Sequence, residues 1–225
     1  MPKRNTISTD EILLMLCRSV TGVLTSATGL ETRYAAMVQK INKTCLKPDI
    51  GCFVLFDGGF SGLVVINFSA AAALELYQTY LTNMGLPASE LAQQHTADEV
   101  GNVLGELMNQ IVGDFTGKIG KELLTSINQN QPKMLVINKE VMLSINTNLD
   151  RPQSRRVTFT TAGHNIFYLE LAMDRTEFIK LHDFETPDTN PDRIIDEARA
   201  SAAGNPVSQA DTPGAESALL EELGL

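Results

Sequence analysis

Two tetrapeptides 88 residues apart, Thr9-Asp10-Glu11-Ile12 and Ala97-Asp98-Glu99-Val100, each open a run of helical spacing that is followed by three extended stretches. From Glu11 to Ala27 apolar residues recur at Ile12, Leu16, Val20, Val23 and Leu24, with Ser8, Thr9 and Asp10 as N-cap candidates and Gly29 as a stop. Residues 32–46, 52–56 and 62–68 then read as extended. Asp57, Gly58 and Gly59 give a hairpin signal between the last two. An alanine-rich helix over 70–80, ending near Gly85 and Pro87, leads to the second unit. There a long helix runs from Thr96 to about Ile127, with Asp98 and Glu99 at its positive end. Extended stretches at about 134–147, 156–161 and 166–173 close the domain, with Pro152 and Gly163 in the turns. A helix-plus-three-strand unit used twice predicts an α+β fold in two layers, a mainly antiparallel sheet with long helices packed on it.

Charge marks where that domain stops. Residues 183–225 hold ten acidic residues against Arg193 and Arg199, or −8 of the formal −9, so residues 1–182 are close to neutral. The same segment contains Pro187, Pro191, Pro206 and Pro213 and few large apolar residues before Leu219. Residues 1–182 are therefore read as the folded domain, 183–215 as an acidic flexible linker with a transient helix over 192–200, and 216–225 as a separate amphipathic peptide. The acidic balance argues against nucleic acid as a partner. No run of about 20 apolar residues predicts a membrane span, and MPKRNTISTDE lacks the apolar core of a secretory signal. Cys17, Cys45 and Cys52, odd in number and without C-x-x-C spacing, read as free thiols of a cytoplasmic protein.

The second long helix carries the candidate chemistry. With Val100 at 0° and about 100° per residue, Val103, Leu104, Leu107, Ile111 and Phe115 fall on one arc, the buried face. Asn102, Glu106, Asn109 and Gly113 fall on the opposite side. Glu106 and Asn109, three apart, present a carboxylate and a carboxamide together towards solvent. Asparagine is a poor helix former, and each of Gly101, Gly105, Gly113 and Gly117 costs roughly 0.8–1 kcal/mol relative to alanine. Such a composition implies close approach: Gly101 and Gly105 as a contact line for another helix, Gly113 as room for a docking partner.

The string Asn102-x-x-x-Glu106-x-x-Asn109-x-x-x-Gly113 resembles the signature helix of the CheC/CheX family of bacterial chemotaxis phosphatases. That pattern is Asp or Ser, three residues, Glu, two residues, Asn, and Gly four residues on; Asn102 departs from it at the first position. The doubled unit is also that family's fold, so the resemblance covers about residues 8–175. It implies a phosphatase of two-component signalling whose substrate is the aspartyl phosphate of a CheY-like response regulator. Asn109 would position the attacking water, Glu106 would anchor the regulator's active-site lysine, and Asn102 and Gly113 would support them. Mg²⁺ is expected on the partner receiver domain, and no metal or cofactor is expected on this chain itself. Family members of the CheX type are dimers, so a homodimer is expected. At an offset of 88, Glu106 and Asn109 correspond to Arg18 and Thr21, which predicts one site per chain.

Within ESALLEELGL, Leu219, Leu220 and Leu223 share one helical face among Glu216, Glu221 and Glu222. This segment resembles the regulator-docking peptide of CheZ-type phosphatases, with Leu225 in place of a terminal aromatic residue. A helix folded back onto the domain is the other reading. A non-catalytic regulator-binding adaptor or flagellar-switch-like component of the same fold, or an assembly protein, stands beside the phosphatase reading. His95, His164 and His182 have no ligand spacing, and Arg151, Arg155 and Arg156 read as a basic loop, since the partner motif of a cyclic-di-GMP site is missing downstream.

Overall fold

The computed structural model describes residues 6–179. Its elements in chain order are β1 (Thr6–Ile7), α1 (Thr9–Thr28), β2 (Arg33–Ile41), β3 (Thr44–Leu46), β4 (Ile50–Gly58), β5 (Gly62–Phe68), α2 (Ala70–Asn83), a 3-10 turn (Ala88–Glu90), α3 (Asp98–Leu123), β6 (Ile127–Gln129), β7 (Lys133–Val136), β8 (Leu143–Ile145), β9 (Gln153–Thr160), β10 (Ile166–Met173) and β11 (Phe178–Ile179). Ser8 caps α1 through a capping box with Glu11, and Gly29 closes it at φ 70. Ser69 caps α2 by accepting the Ala72 N–H.

The main sheet is antiparallel in the order β2-β9-β10-β5-β4, with both β6 and β7 on the outer edge of β4. Exchanging the two halves maps this order onto itself. The third strands of the two units, β5 and β10, pair at the centre, and each half's second strand accepts the other half's first strand at the edge. The predicted stretches 32–46 and 134–147 each break into an edge strand and a short strand, and the two short strands, β3 and β8, pair with one another. The tripeptide Ile-Asn-Lys occurs at this break in both halves, at 41–43 and 137–139.

Alternation on the strands separates two apolar clusters. Val64, Ile66 and Phe68 of β5, with Phe167, Leu169 and Leu171 of β10, face α1, α2 and α3. Leu63, Val65 and Ala172 point the other way and pack with Leu46 and Ile137. The predicted helix layer and sheet layer are thus present, with a small ribbon added on the far face. α1 is long and apolar enough, by length and composition, to cross a membrane. Its Ile12, Leu16, Val20 and Leu24 are nevertheless fully buried in the helix-side core. Cys17, Cys45 and Cys52 are free and buried, and desolvation pushes the Cys17 thiol up to about 12.

Two expectations are corrected. Arg155 and Arg156 lie in β9, not in a basic loop: Arg155 pairs with Asp10 at 3.0 Å, and Arg156 pairs with the fully buried Glu170 at 2.7 Å. Glu170 also accepts the Cys45 N–H, tying the ribbon to the sheet. The second correction concerns α3, which stops at Leu123 instead of near Ile127, with Leu124 left-handed at φ 47. The turn that follows passes over the β4–β5 hairpin, so Gly59 N–H donates to the Ser126 carbonyl at 3.2 Å and Ile127 enters β6.

Candidate functional site

α3 is rolled into position by its apolar side. Val100, Leu104, Leu107, Met108, Ile111, Val112, Phe115 and Ile119 are buried. Phe115 packs edge-on against Phe56, ring centroids 5.8 Å apart. Towards α1, Lys118 Nζ reaches both the Asp114 carboxylate and, at 3.2 Å, Ser19 Oγ. With that side fixed, Asn102, Glu106, Asn109 and Gly113 are all exposed, on the face that their spacing predicts. Val103 is half-buried at the margin.

The two candidate side chains are held differently. Glu106 Oε1 accepts from Gln110 Nε2 at 3.0 Å, one turn along the same helix. Asn109 Oδ1 accepts from Gln129 Nε2 at 3.0 Å, a contact from β6. Gln129 is half-buried, and its register partner is Phe56 of β4. Gln110 and Gln129 belong to the site's surroundings yet do not stand out in the sequence. The Asn-Gln-Asn-Gln-Pro run at 128–132 falls between the predicted helix and the extended stretch predicted from 134, and the early end of α3 makes room for β6 there.

That early end depends on glycine. Gly58 has φ +143, and a Cβ there would lie 2.1 Å from the Ser126 carbonyl oxygen. A Cβ at Gly59 would lie 2.0 Å from Thr125 Oγ1. The helix glycines behave otherwise. A Cβ at Gly101, Gly113 or Gly117 would meet nothing within 4 Å, and one at Gly105 only Met134 of β7, at 3.6 Å. Among the described residues no helix packs along Gly101 and Gly105, contrary to expectation; β7 lies beside Gly105. Gly113 is open next to Asn109.

α1 shows what the corresponding surface of the other half offers. Burial in the two helices matches at an offset of 88, Ile12 with Val100, Leu16 with Leu104, Val20 with Met108 and Leu24 with Val112. At that offset Glu106 and Asn109 fall on Arg18 and on Thr21, whose hydroxyl is spent on the carbonyls of Cys17 and Arg18. Among the described residues, no group of three or more His, Cys, Asp or Glu stands together as a metal site. Leu219, Leu220 and Leu223, His182, the linker 183–215 and the peptide 216–225 lie outside the described residues.

Residues 3–225 match the family described as protein of unknown function (DUF3334), and the chain belongs to that family. No curated protein matches the sequence. Among solved structures, the chemotaxis protein CheX from Desulfovibrio desulfuricans is 18% identical, with TM-score 0.61, over 73% of this chain and 99% of that one. The CheX of Borrelia burgdorferi, solved as a CheX–CheY–BeF3–Mg²⁺ complex, is 15% identical, with TM-score 0.55, over 72% and 97%. Thermotoga maritima FliY is 17% identical, with TM-score 0.53, over 72% and 85%. The fold of this chain is the CheC/CheX-like fold.

Proposed function

We propose that this member of the DUF3334 family binds a CheY-like receiver domain through the exposed face of α3 and hydrolyses its aspartyl phosphate. The observation that carries the reading is the outward presentation of Glu106 and of a fixed Asn109 on the rigid α3, within the fold that a CheX–CheY complex also uses. An acyl phosphate is already reactive, so the demand on a catalyst is to place water in line with phosphorus. Asn109 meets it with one Oδ1 lone pair left to accept a hydrogen bond from the water and an NH2 able to donate to a phosphoryl oxygen. The water oxygen bonds to phosphorus, the bond from phosphorus to the aspartyl oxygen breaks, its electron pair returns to the receiver as carboxylate, and both water protons leave with the inorganic phosphate. Glu106 anchors the lysine of the receiver, Asn102 and Gly113 border the contact, and Mg²⁺ is the receiver's own. The thiols imply a reducing, cytoplasmic setting.

The test is a panel of receiver domains charged with acetyl phosphate, with phosphate release measured with and without this protein. Acceleration by the unaltered chain, lost in Asn109→Ala while receiver binding survives, is the expected result. Binding without acceleration leaves an adaptor instead. Normal turnover by Asn109→Ala removes the role given to that side chain.

A further inference from the structure

Among the described residues, Gln129 Oε1 is the buried side-chain polar atom without a hydrogen-bond partner, and Gln129 is also the residue that holds Asn109. The two facts share a cause. Gly58 and Gly59 let the turn after α3 lie on the β4–β5 hairpin, β6 then pairs with the end of β4, and Gln129 is carried under the α3 surface. There Nε2 donates to Asn109 Oδ1 at 3.0 Å and lies 3.5 Å from the Asn109 backbone oxygen. Turning the amide over would bury an NH2 group with two protons and no acceptor where a carbonyl now sits, and would give up the donation to Asn109. The observed orientation is the cheaper of the two.

An asparagine side chain on an exposed helix face otherwise exchanges between rotamers. We infer that Gln129 is a positioning residue: its amide N–H fixes the Asn109 carboxamide so that the second Oδ1 lone pair and the Nδ2 protons face the docked partner. The inference rests on the phosphatase reading above. Positioning acts on the chemical step, because a water oriented by a wandering carboxamide spends less time in line.

Gln129→Ala should lower the saturated rate of receiver dephosphorylation about ten-fold at unchanged apparent KM, the pattern of an interaction used in the transition state. Gln129→Glu keeps the shape and the strand pairing but replaces the donor with an acceptor. Its rate should be low at neutral pH and recover, relative to the unaltered protein, as pH falls and the new carboxyl gains a proton to donate. That profile carries the test if Gln129→Ala fails to fold. Turnover that Asn109→Ala abolishes and Gln129→Ala leaves intact overturns this inference alone, as does a Gln129→Glu ratio flat with pH. No turnover by the unaltered protein overturns the phosphatase reading and this inference with it.

Discussion

In the proposed phosphatase Glu106 and Asn109 do unlike work, and single substitutions should separate it. Glu106→Ala removes the charge proposed to engage the receiver's lysine, so both receiver affinity and turnover should fall, about ten-fold or more in apparent KM, whereas Asn109→Ala should act on turnover alone. A titration of receiver binding beside a turnover assay reads the two. A second carboxylate, Glu170, is fully buried between Arg156 and the Cys45 N–H. Glu170→Leu strands the partly buried guanidinium and an amide donor, and should cost about 3 kcal/mol in a denaturant melt with little effect on the α3 face. Glu106, Asn109, Asn102 and Gly113 were legible in the sequence because helical phase depends only on the local spacing of apolar residues. Gln129 and the strand arginines were not, because their partners are fixed by tertiary contact: Gln129 meets a residue 20 positions back, and Arg155 meets Asp10, 145 positions away.

Elements were legible where they are set locally and blurred where another element sets them. The capping box at Ser8 and the left-handed Gly29 fix α1 from within its own sequence. The end of α3 is fixed by the hairpin beneath it, and the hairpin itself differs from its signal: β4 and β5 pair only as far as Phe56 with Gly62, while Asp57 and Gly58 pair with β6. The glycines therefore divide by sign. Gly58→Ala forces a Cβ against the Ser126 carbonyl at a backbone angle that suits glycine, and should cost about 2 kcal/mol or more, or roughly 4 °C or more in Tm. Gly101→Ala and Gly113→Ala add a Cβ into open space on α3, and each should stabilise by about 0.8–1 kcal/mol. Only Gly113→Ala should then weaken receiver capture, since its methyl stands beside Asn109. If Gly113→Ala leaves capture unchanged, the docking role of that position is wrong.

At the scale of the whole molecule, the repeat is plainer in the sheet order than in the residues, because exchange of the halves preserves strand roles while α1 holds Arg18 and Thr21 where α3 holds Glu106 and Asn109. Among the described residues, the same order leaves β2 on an edge, paired only with β9, with Met37 four-fifths exposed in the irregular stretch between Tyr34 and Val38. An edge of this length invites pairing with a second copy, so the protein should sediment as a dimer at high micromolar concentration and Met37→Lys should shift it to monomer. Beyond the described residues, the peptide 216–225 gives the last prediction. Its three leucines, Leu219, Leu220 and Leu223, bury about 1.5–3 kcal/mol each when docked. Ordering a ten-residue segment offsets much of that gain, so the free peptide should bind a receiver weakly. Read as a linker of about thirty residues, 183–215 would have a root-mean-square span of roughly 30 Å. Tethering then raises the local concentration towards the millimolar range. The peptide should therefore act on capture and leave the chemistry to α3. Deleting 216–225 should raise apparent KM at an unchanged saturated rate, and Leu219→Asp with Leu223→Asp should do the same. An unchanged apparent KM after truncation, or a lowered saturated rate at an unchanged one, places the peptide elsewhere than on the receiver.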